Sequence, residues 1–302
     1  MAFPLRFLVL ALPNTNWTEL VRRYQHVESA GYDIAATADH FVDWTNPPAP
    51  WFELWTHTAA LAALTSRVRI ATLVAQIPLR SPAMFARSAL ALDHISGGRF
   101  EAGLGIGLPI DPSYAMIGLD NWTPKERVDR FSEYVEIVDR MLSNEVTSYA
   151  GEYDRIENAY MNPRPVQQPR PPLLIAAMGK RMLRIAARQA DIWNSLSFAP
   201  EFEQQLAETA ERVAIVDRAC ERAGRDPATL RRSYLMFDPK ARASGGAFAY
   251  YESPERFREM AERVIALGVT DIGLYYPALP EQHEVFDRIG REIIPELKAR
   301  HG

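Results

Sequence analysis

The segments Val68-Arg69-Ile70-Ala71-Thr72-Leu73-Val74 and Phe100-Glu101-Ala102-Gly103-Leu104-Gly105, with Ser81 to Gly98 between them, decide the fold. The first is a β-branched run with little alternation, the pattern of a strand covered on both faces. Ser81 is a helix cap, and Gly97-Gly98 ends the helical period that follows it. Phe100 to Gly105 then supplies another buried strand. Strand, helix and strand in that order make a β–α–β unit, whose strands must run parallel.

The same rhythm extends in both directions. Upstream lie Arg6 to Leu12 with a helix from about Thr18 to Ala30, capped by Asn16 or Thr18 and ended by Gly31, then Ile34 to Ala38 with a helix from about Trp51 to Leu64. Downstream lie Leu173 to Ala177 with a helix from Lys180 to Gln189, Asp191 to Leu196 with one from about Glu201 to Ala223, Ser233 to Phe237 with one from about Pro254 to Leu267, and Asp271 to Tyr276 with one from Glu281 to Arg300. Eight such pairs predict a (β/α)8 TIM barrel in the α/β class, a single domain over residues 1–302, since right-handed crossovers put the helices outside. An open doubly wound sheet is the alternative. The rhythm breaks after strand four, over an excursion at about 108–172 that holds a helix from about Pro124 to Leu142, and again after strand seven, from Ala243 to Tyr251. Ser148 to Pro172, rich in proline from Pro163 on, is expected to cross the barrel mouth as a lid, because it is too long for an ordinary connection.

Composition narrows the function classes. Lys and Arg number 34 against 38 Asp and Glu, a formal charge of -4 with no long block of one sign, which argues against a nucleic-acid surface. Cys220 is the only cysteine, so no internal disulfide can form and a reducing, cytoplasmic setting is expected. The apolar start reads as a first strand rather than a signal peptide, and no apolar run reaches the ~18 to 20 residues of a membrane span.

A barrel of this kind places its chemistry at the C-terminal ends of the strands. Those ends carry Asp39 and His40, Thr72 to Gln76, Gly105 to Gly107, Met178 to Arg181, Asn194 and Ser195, Asp238, and Tyr275 and Tyr276. Gly103, Gly105 and Gly107 lack the third glycine of a dinucleotide fingerprint, and Leu108-Pro109 cannot open a helix at once. Either they let backbone approach a flat ring or a ligand tail, or they make a tight strand exit. Ala176-Ala177-Met178-Gly179-Lys180-Arg181 passes from strand into helix and joins amide groups, a helix dipole and two cations, a seat for phosphate. His40 at the rim is a candidate to donate or accept a proton. The other five histidines form no ligand pair, so no metal is expected. Trp44, Trp51, Phe52 and Trp55 crowd the segment after His40, and Phe248, Tyr250 and Tyr251 the one after strand seven. Such aromatic walls suit a planar cofactor, although Phe52 and Trp55 read better as helix-to-barrel packing.

Thr37-Ala38-Asp39-His40-Phe41, Ser96-Gly97-Gly98-Arg99-Phe100 leading into Gly103 to Gly107, and Pro163 to Asn194 together resemble the luciferase-like monooxygenase superfamily, in the right order and over nearly the whole chain. The resemblance implies a (β/α)8 barrel using the deazaflavin F420 or FMN, and the Asp39-His40 pair and the strand-four glycines are more similar to the F420-using branch. It implies catalytic roles for His40 and Asp39, a pocket wall at Trp44, and Thr72, Leu73 and Val74 passing behind the ring, where the family often carries a non-prolyl cis peptide. It further implies cofactor contacts at Gly105, Gly107 and Asp111, and a tail phosphate held by Ala177, Met178, Gly179, Lys180 and Arg181. A small-molecule substrate and a homodimer complete the picture. The family's F420-dependent sugar-phosphate dehydrogenases place a glutamate after the glycine pair of strand four, where this chain has Leu108. That departure points to a less polar substrate and to Asp111 or Tyr114 as acid/base partner. The expected activity is therefore F420-dependent hydride transfer. The alternatives are an FMN-dependent monooxygenase using oxygen and a cofactor-binding member without turnover. A metal-dependent or cofactor-free hydrolase lacks both ligand spacing and a nucleophile elbow.

Overall fold

The computed structural model describes residues 3–243 and 245–301. Its strands are β1 (Arg6–Leu10), β2 (Ile34–Thr37), β3 (Arg69–Thr72), β4 (Ala75–Gln76), β5 (Phe100–Gly105), β6 (Val146–Ala150), β7 (Arg155–Tyr160), β8 (Leu173–Ala176), β9 (Ile192–Ser195), β10 (Arg231–Leu235) and β11 (Asp271–Tyr275). The helices are α1 (Trp17–Ser29), α2 (Leu54–Ala63), α3 (Pro82–Ile95), α4 (Ser113–Met116), α5 (Pro124–Ser143), α6 (Lys180–Gln189), α7 (Phe202–Arg222), α8 (Pro239–Ala243), α9 (Pro254–Ile265), α10 (Gln282–Arg288) and α11 (Ile294–His301).

Nine strands form one sheet in the order β3-β2-β1-β11-β10-β9-β8-β5-β4, and a further pairing of β3 with β5 returns the sheet on itself. β3 and β4 are the two halves of the expected third strand, parted at Leu73-Val74, whose peptide is cis. Eight barrel positions result, each followed by helix, and the closing pair excludes the open doubly wound sheet. Among the described residues no helix is long and apolar enough to cross a membrane.

The chain packs as two compact units, the first comprising the chain up to Ala11, Arg23–Ala35 and the chain from Ala177 on, the second Leu12–Arg22 and Ala36–Ala176. In the first, β1 runs parallel to β11 with Arg6 opposite Asp271 and Leu10 opposite Tyr275. That register is pinned by the buried Asp271 carboxylate, which accepts from Arg6 Nε at 3.0 Å and from an Arg231 amino group at 2.6 Å. β10 lies between β11 and β9.

In the second unit β5 is central, with β3 and β4 on one side and β8 on the other. Gly103 is required there: Thr72 Oγ1 donates to its carbonyl and accepts from its amide, both at 2.8 Å, and a β-carbon would collide with the Thr72 carbonyl. Ser81 caps α3 through the Met84 amide at 3.4 Å, with Pro82 opening the first turn. Trp55 packs edge-on against Phe85 and Phe100, the helix-to-barrel packing expected of it, while Phe52 lies against Trp17 of α1 and His57 of α2.

The excursion differs from expectation. Its first part is an antiparallel hairpin, β6 with β7, laid back along α5. The Glu133 carboxylate on α5 accepts from the amides of Glu152, Tyr153 and Asp154 at the turn. Sequence reading missed the hairpin because its strands are half polar and exposed, with no buried face to impose a clear alternation. The proline segment is no lid over the catalytic face. Gln167 bonds the buried Asp93 and the Phe100 carbonyl, Arg164 donates to the Leu142 carbonyl at 2.8 Å, and Arg170 pairs with Asp139 at 2.5 Å. Phe100 and Leu173 begin β5 and β8, so the segment is tied at the N-terminal ends of these strands, opposite the end that carries the chemistry.

Candidate active site

β2 ends at Thr37, and two residues on the chain turns outward through Asp39 and His40. The expectation joined these two as a working pair, but their charged partners differ, Arg80 for Asp39 and Asp111 for His40, while Gln76 touches both. Asp39 is 2% exposed; its carboxylate accepts from the Gln76 amide at 2.9 Å and is clamped by the Arg80 guanidinium. It thus ties the end of β2 to β4 and to the segment after it. Burial works against the Arg80 charge, yet Asp39 outweighs it and raises the guanidinium pKa further.

His40 Nδ1 lies 2.6 Å from Asp111 Oδ2. The Asp111 carboxylate also accepts from the Ser113 amide and from Gln76 Nε2, each at 2.9 Å. Burial disfavours its charge, but the hydrogen bonds from His40, Gln76 and Ser113 win and lower its pKa to about 2. Asp111 is therefore an anion at neutral pH, so the proton in this contact sits on His40 Nδ1 and Nε2 carries the lone pair in the neutral ring. Gln76 Nε2 gives its two protons to Asp111 and to the Asp39 carbonyl, while Gln76 Oε1 accepts from the Tyr114 hydroxyl.

Behind Tyr114 stands Arg127, a guanidinium with no exposure on α5. It donates to the carbonyls of Ile106 at 2.7 Å and Trp122 at 3.0 Å and to Asn121 Oδ1 at 2.5 Å, and lies over the Tyr114 ring at 4.7 Å. Trp51 meets the His40 ring edge-on at 5.4 Å and Trp44 stacks on it at 6.4 Å. The Trp51 indole nitrogen is buried without a hydrogen-bond partner. His40 itself remains 14% exposed, with Nε2 unengaged among the described residues.

The other expected residues of this unit have packing roles in view. Thr72 is consumed by Gly103, as above. A β-carbon at Gly105 would strike Val74, and one at Gly107, whose φ is +71°, would strike the Tyr114 hydroxyl and Gln76 Oε1, so the protein's own atoms fill both spaces. Packing is thus a sufficient reason for both glycines.

Ala177 to Arg181 belong to the other compact unit. α6 begins after Gly179 with no side-chain cap, leaving its first-turn amides without that partner. Ala177 does not serve a phosphate: its amide donates to the Asn194 carbonyl at 2.9 Å and its carbonyl accepts from Trp193 Nε1 at 3.0 Å. Gly179, Lys180 and Arg181 are exposed and Met178 half-buried. In the same unit Phe248 stacks on Tyr275 at 5.4 Å and on Tyr250 at 5.2 Å.

Sequence reading reached His40, Asp111 and Tyr114 but not the groups that hold them. Arg80 and Arg127 look like ordinary surface arginines in helical or near-helical context. The one available signal was Arg127 at a position of α5 in phase with Phe131, Tyr134 and Val138, all buried.

A family model described as luciferase-like monooxygenase matches residues 5–292. The chain belongs to that family. An F420-dependent glucose-6-phosphate dehydrogenase from Segniliparus rotundus is 30% identical over 233 residues, 74% of this chain and 66% of that protein. A pyrimidine monooxygenase from Allorhizobium ampelinum is 28% identical over 234 residues, 76% of this chain and 61% of that one. The matched region is thus just under two thirds of each relative's own length. Among solved structures, an F420-dependent secondary alcohol dehydrogenase in complex with an F420-acetone adduct superposes with a TM-score of 0.80 at 17% identity, over 95% of this chain and 98% of that one. That structure shares the barrel fold of this luciferase-like chain.

Proposed function

We propose that the luciferase-like chain transfers hydride between F420 and a small organic substrate, with His40 as the acid/base and Asp111 as the group that holds it. The single observation carrying this reading is the 2.6 Å contact of His40 Nδ1 with an aspartate kept ionised. The residues present fit a bound planar ligand in two respects: His40 Nε2 is open, and the buried Trp51 N–H lacks an acceptor. The uncapped start of α6, with Gly179, Lys180 and Arg181, fits an anionic tail group.

F420, when bound, supplies or accepts the hydride. His40 Nε2 takes the proton of a substrate hydroxyl in one direction and returns it to a carbonyl oxygen in the other. Asp111 fixes the tautomer and stabilises the imidazolium that forms, a role worth orders of magnitude where a carboxylate and histidine are so paired. Asp39 acts one step back, since its partners Arg80 and Gln76 position the turn that carries His40. Trp44 and Trp51 wall the ring. Leu108 gives the strand-four exit an apolar side chain, so the substrate is expected to be less polar than a sugar phosphate.

Titrating the purified protein separately with F420 and FMN, read by quenching of tryptophan fluorescence, tests the cofactor. F420 is expected to bind more tightly. Comparable or tighter FMN binding would transfer the reading to an FMN-dependent monooxygenase.

A further inference from the structure

On its outer surface the first compact unit carries a second charged feature. A groove between α6 and α7, with a cavity of about 300 Å³, is lined by Lys180 and Arg184 from one helix and Arg218 and Arg222 from the other, over a floor of Ile215 and Ala219. Each pair is spaced one helical turn apart, so two cations face two cations across the groove. All four side chains are exposed, and none makes an ion pair or hydrogen bond among the described residues.

This arrangement differs from that of many helical arginines of the chain, which are matched with carboxylates four residues away. Such pairs are Arg130 with Glu126, Arg140 with Glu136, Arg212 with Glu208, Arg288 with Glu292 and Arg300 with Glu296. α6 has no acidic residue at all. Asp217 on α7 turns to Arg232 at 2.5 Å. Like charges at that spacing destabilise helices, and among the described residues no carboxylate forms an ion pair with these four. On a chain of formal charge -4 the cluster is local rather than general.

We propose that this groove binds a small polyanion bearing two or more phosphate or carboxylate groups. Guanidinium forks pair such groups bidentately, and the volume sits at the lower end of ligand pockets, ~300 to 1,000 Å³. The anion is either a separate molecule or the charged extension of a cofactor tail seated at Lys180. The site stands on its own geometry and does not require the F420 reading.

Isothermal titration of the protein with inorganic tripolyphosphate at low salt tests it. One saturable site is expected, weakened by added salt, and at least tenfold weaker in the double variant Arg184→Gln/Arg218→Gln, while Arg140→Gln, on another face, binds as the parent does. Circular dichroism on each variant verifies folding. Repeating the titration on protein saturated with F420 identifies the source: loss of tripolyphosphate binding assigns the groove to the cofactor's tail, and retained binding assigns it to a separate polyanion. Failure of F420 to bind would leave the tripolyphosphate result intact. Absence of a saturable site, or equal affinity in parent and double variant, overturns the proposal.

Discussion

His40 and Asp111, separated by 71 residues, meet at 2.6 Å, so the turn after β2 and the turn that opens α4 are joined through one imidazole. The carboxylate is buried and ionised, and its other partners, Ser113 and Gln76, leave it no freedom to turn away. The histidine therefore presents a fixed tautomer with a single open nitrogen.

Asp111→Asn should lower turnover by about 10²-fold or more while changing F420 affinity little, because the amide can present its NH₂ to Nδ1 and select the wrong tautomer. Steady-state rates and fluorescence titration on the same preparation decide this. A variant with the parental rate would remove Asp111 from the mechanism.

The same residue makes stability depend on acid. Its folded pKa of about 2 lies below its ordinary value of 3.8, so its contribution is complete above the unfolded value and is lost as pH falls from about 4 toward 2. Urea denaturation of parent and Asp111→Asn should differ by on the order of 1 to 2 kcal/mol at pH 5, with the gap narrowing as pH falls below about 4 and closing only as pH drops below the folded value of about 2. A gap that stays constant across this window would contradict the assignment.

Arg127→Met should destabilise the fold by about 1 to 3 kcal/mol, since it removes the fully buried guanidinium's bonds to the carbonyls of Ile106 and Trp122 and to the Asn121 side chain. Arg130→Met, a partly exposed neighbour paired with Glu126, should cost less than about 1 kcal/mol. Equal losses in the two would mean that the Arg127 network carries no special weight.

Gly103→Ala tests the strand packing. Its β-carbon would enter the Thr72 carbonyl, which is backbone and cannot rotate away, so a loss of at least about 1 to 3 kcal/mol is expected in thermal or urea unfolding. Tolerance of alanine there would show that β3 and β5 can part freely.

Much of this was legible in the sequence for physical reasons. Ser81, Gly97 and the buried runs around them announce a strand, a helix and a strand because capping, left-handed backbone and two-sided burial each demand particular residue types. His40 stood out as a polar residue at a strand exit, whereas Asp111 and Tyr114 came into view only through the family resemblance. What stayed hidden depends on distant pairing. Asp39 and His40 are adjacent in sequence yet turn to Arg80 and Asp111, and no local pattern encodes that choice. The hairpin of β6 and β7 escaped because its residues face solvent and a single Glu133 fixes its turn. Gly105 and Gly107 suggested room for a ligand, where side chains of Val74, Tyr114 and Gln76 fill the space.

The most direct test of the central claim is His40→Ala, assayed for F420 binding and for turnover of F420 with a panel of small alcohols and carbonyl compounds, followed by the deazaflavin's absorbance. The parent protein should turn over at least one of them, and the variant should bind F420 with nearly parental affinity while its rate falls ~10²- to 10⁴-fold. A variant that reacts at the parental rate, or a parent that binds F420 and turns over none of the panel, would contradict the account.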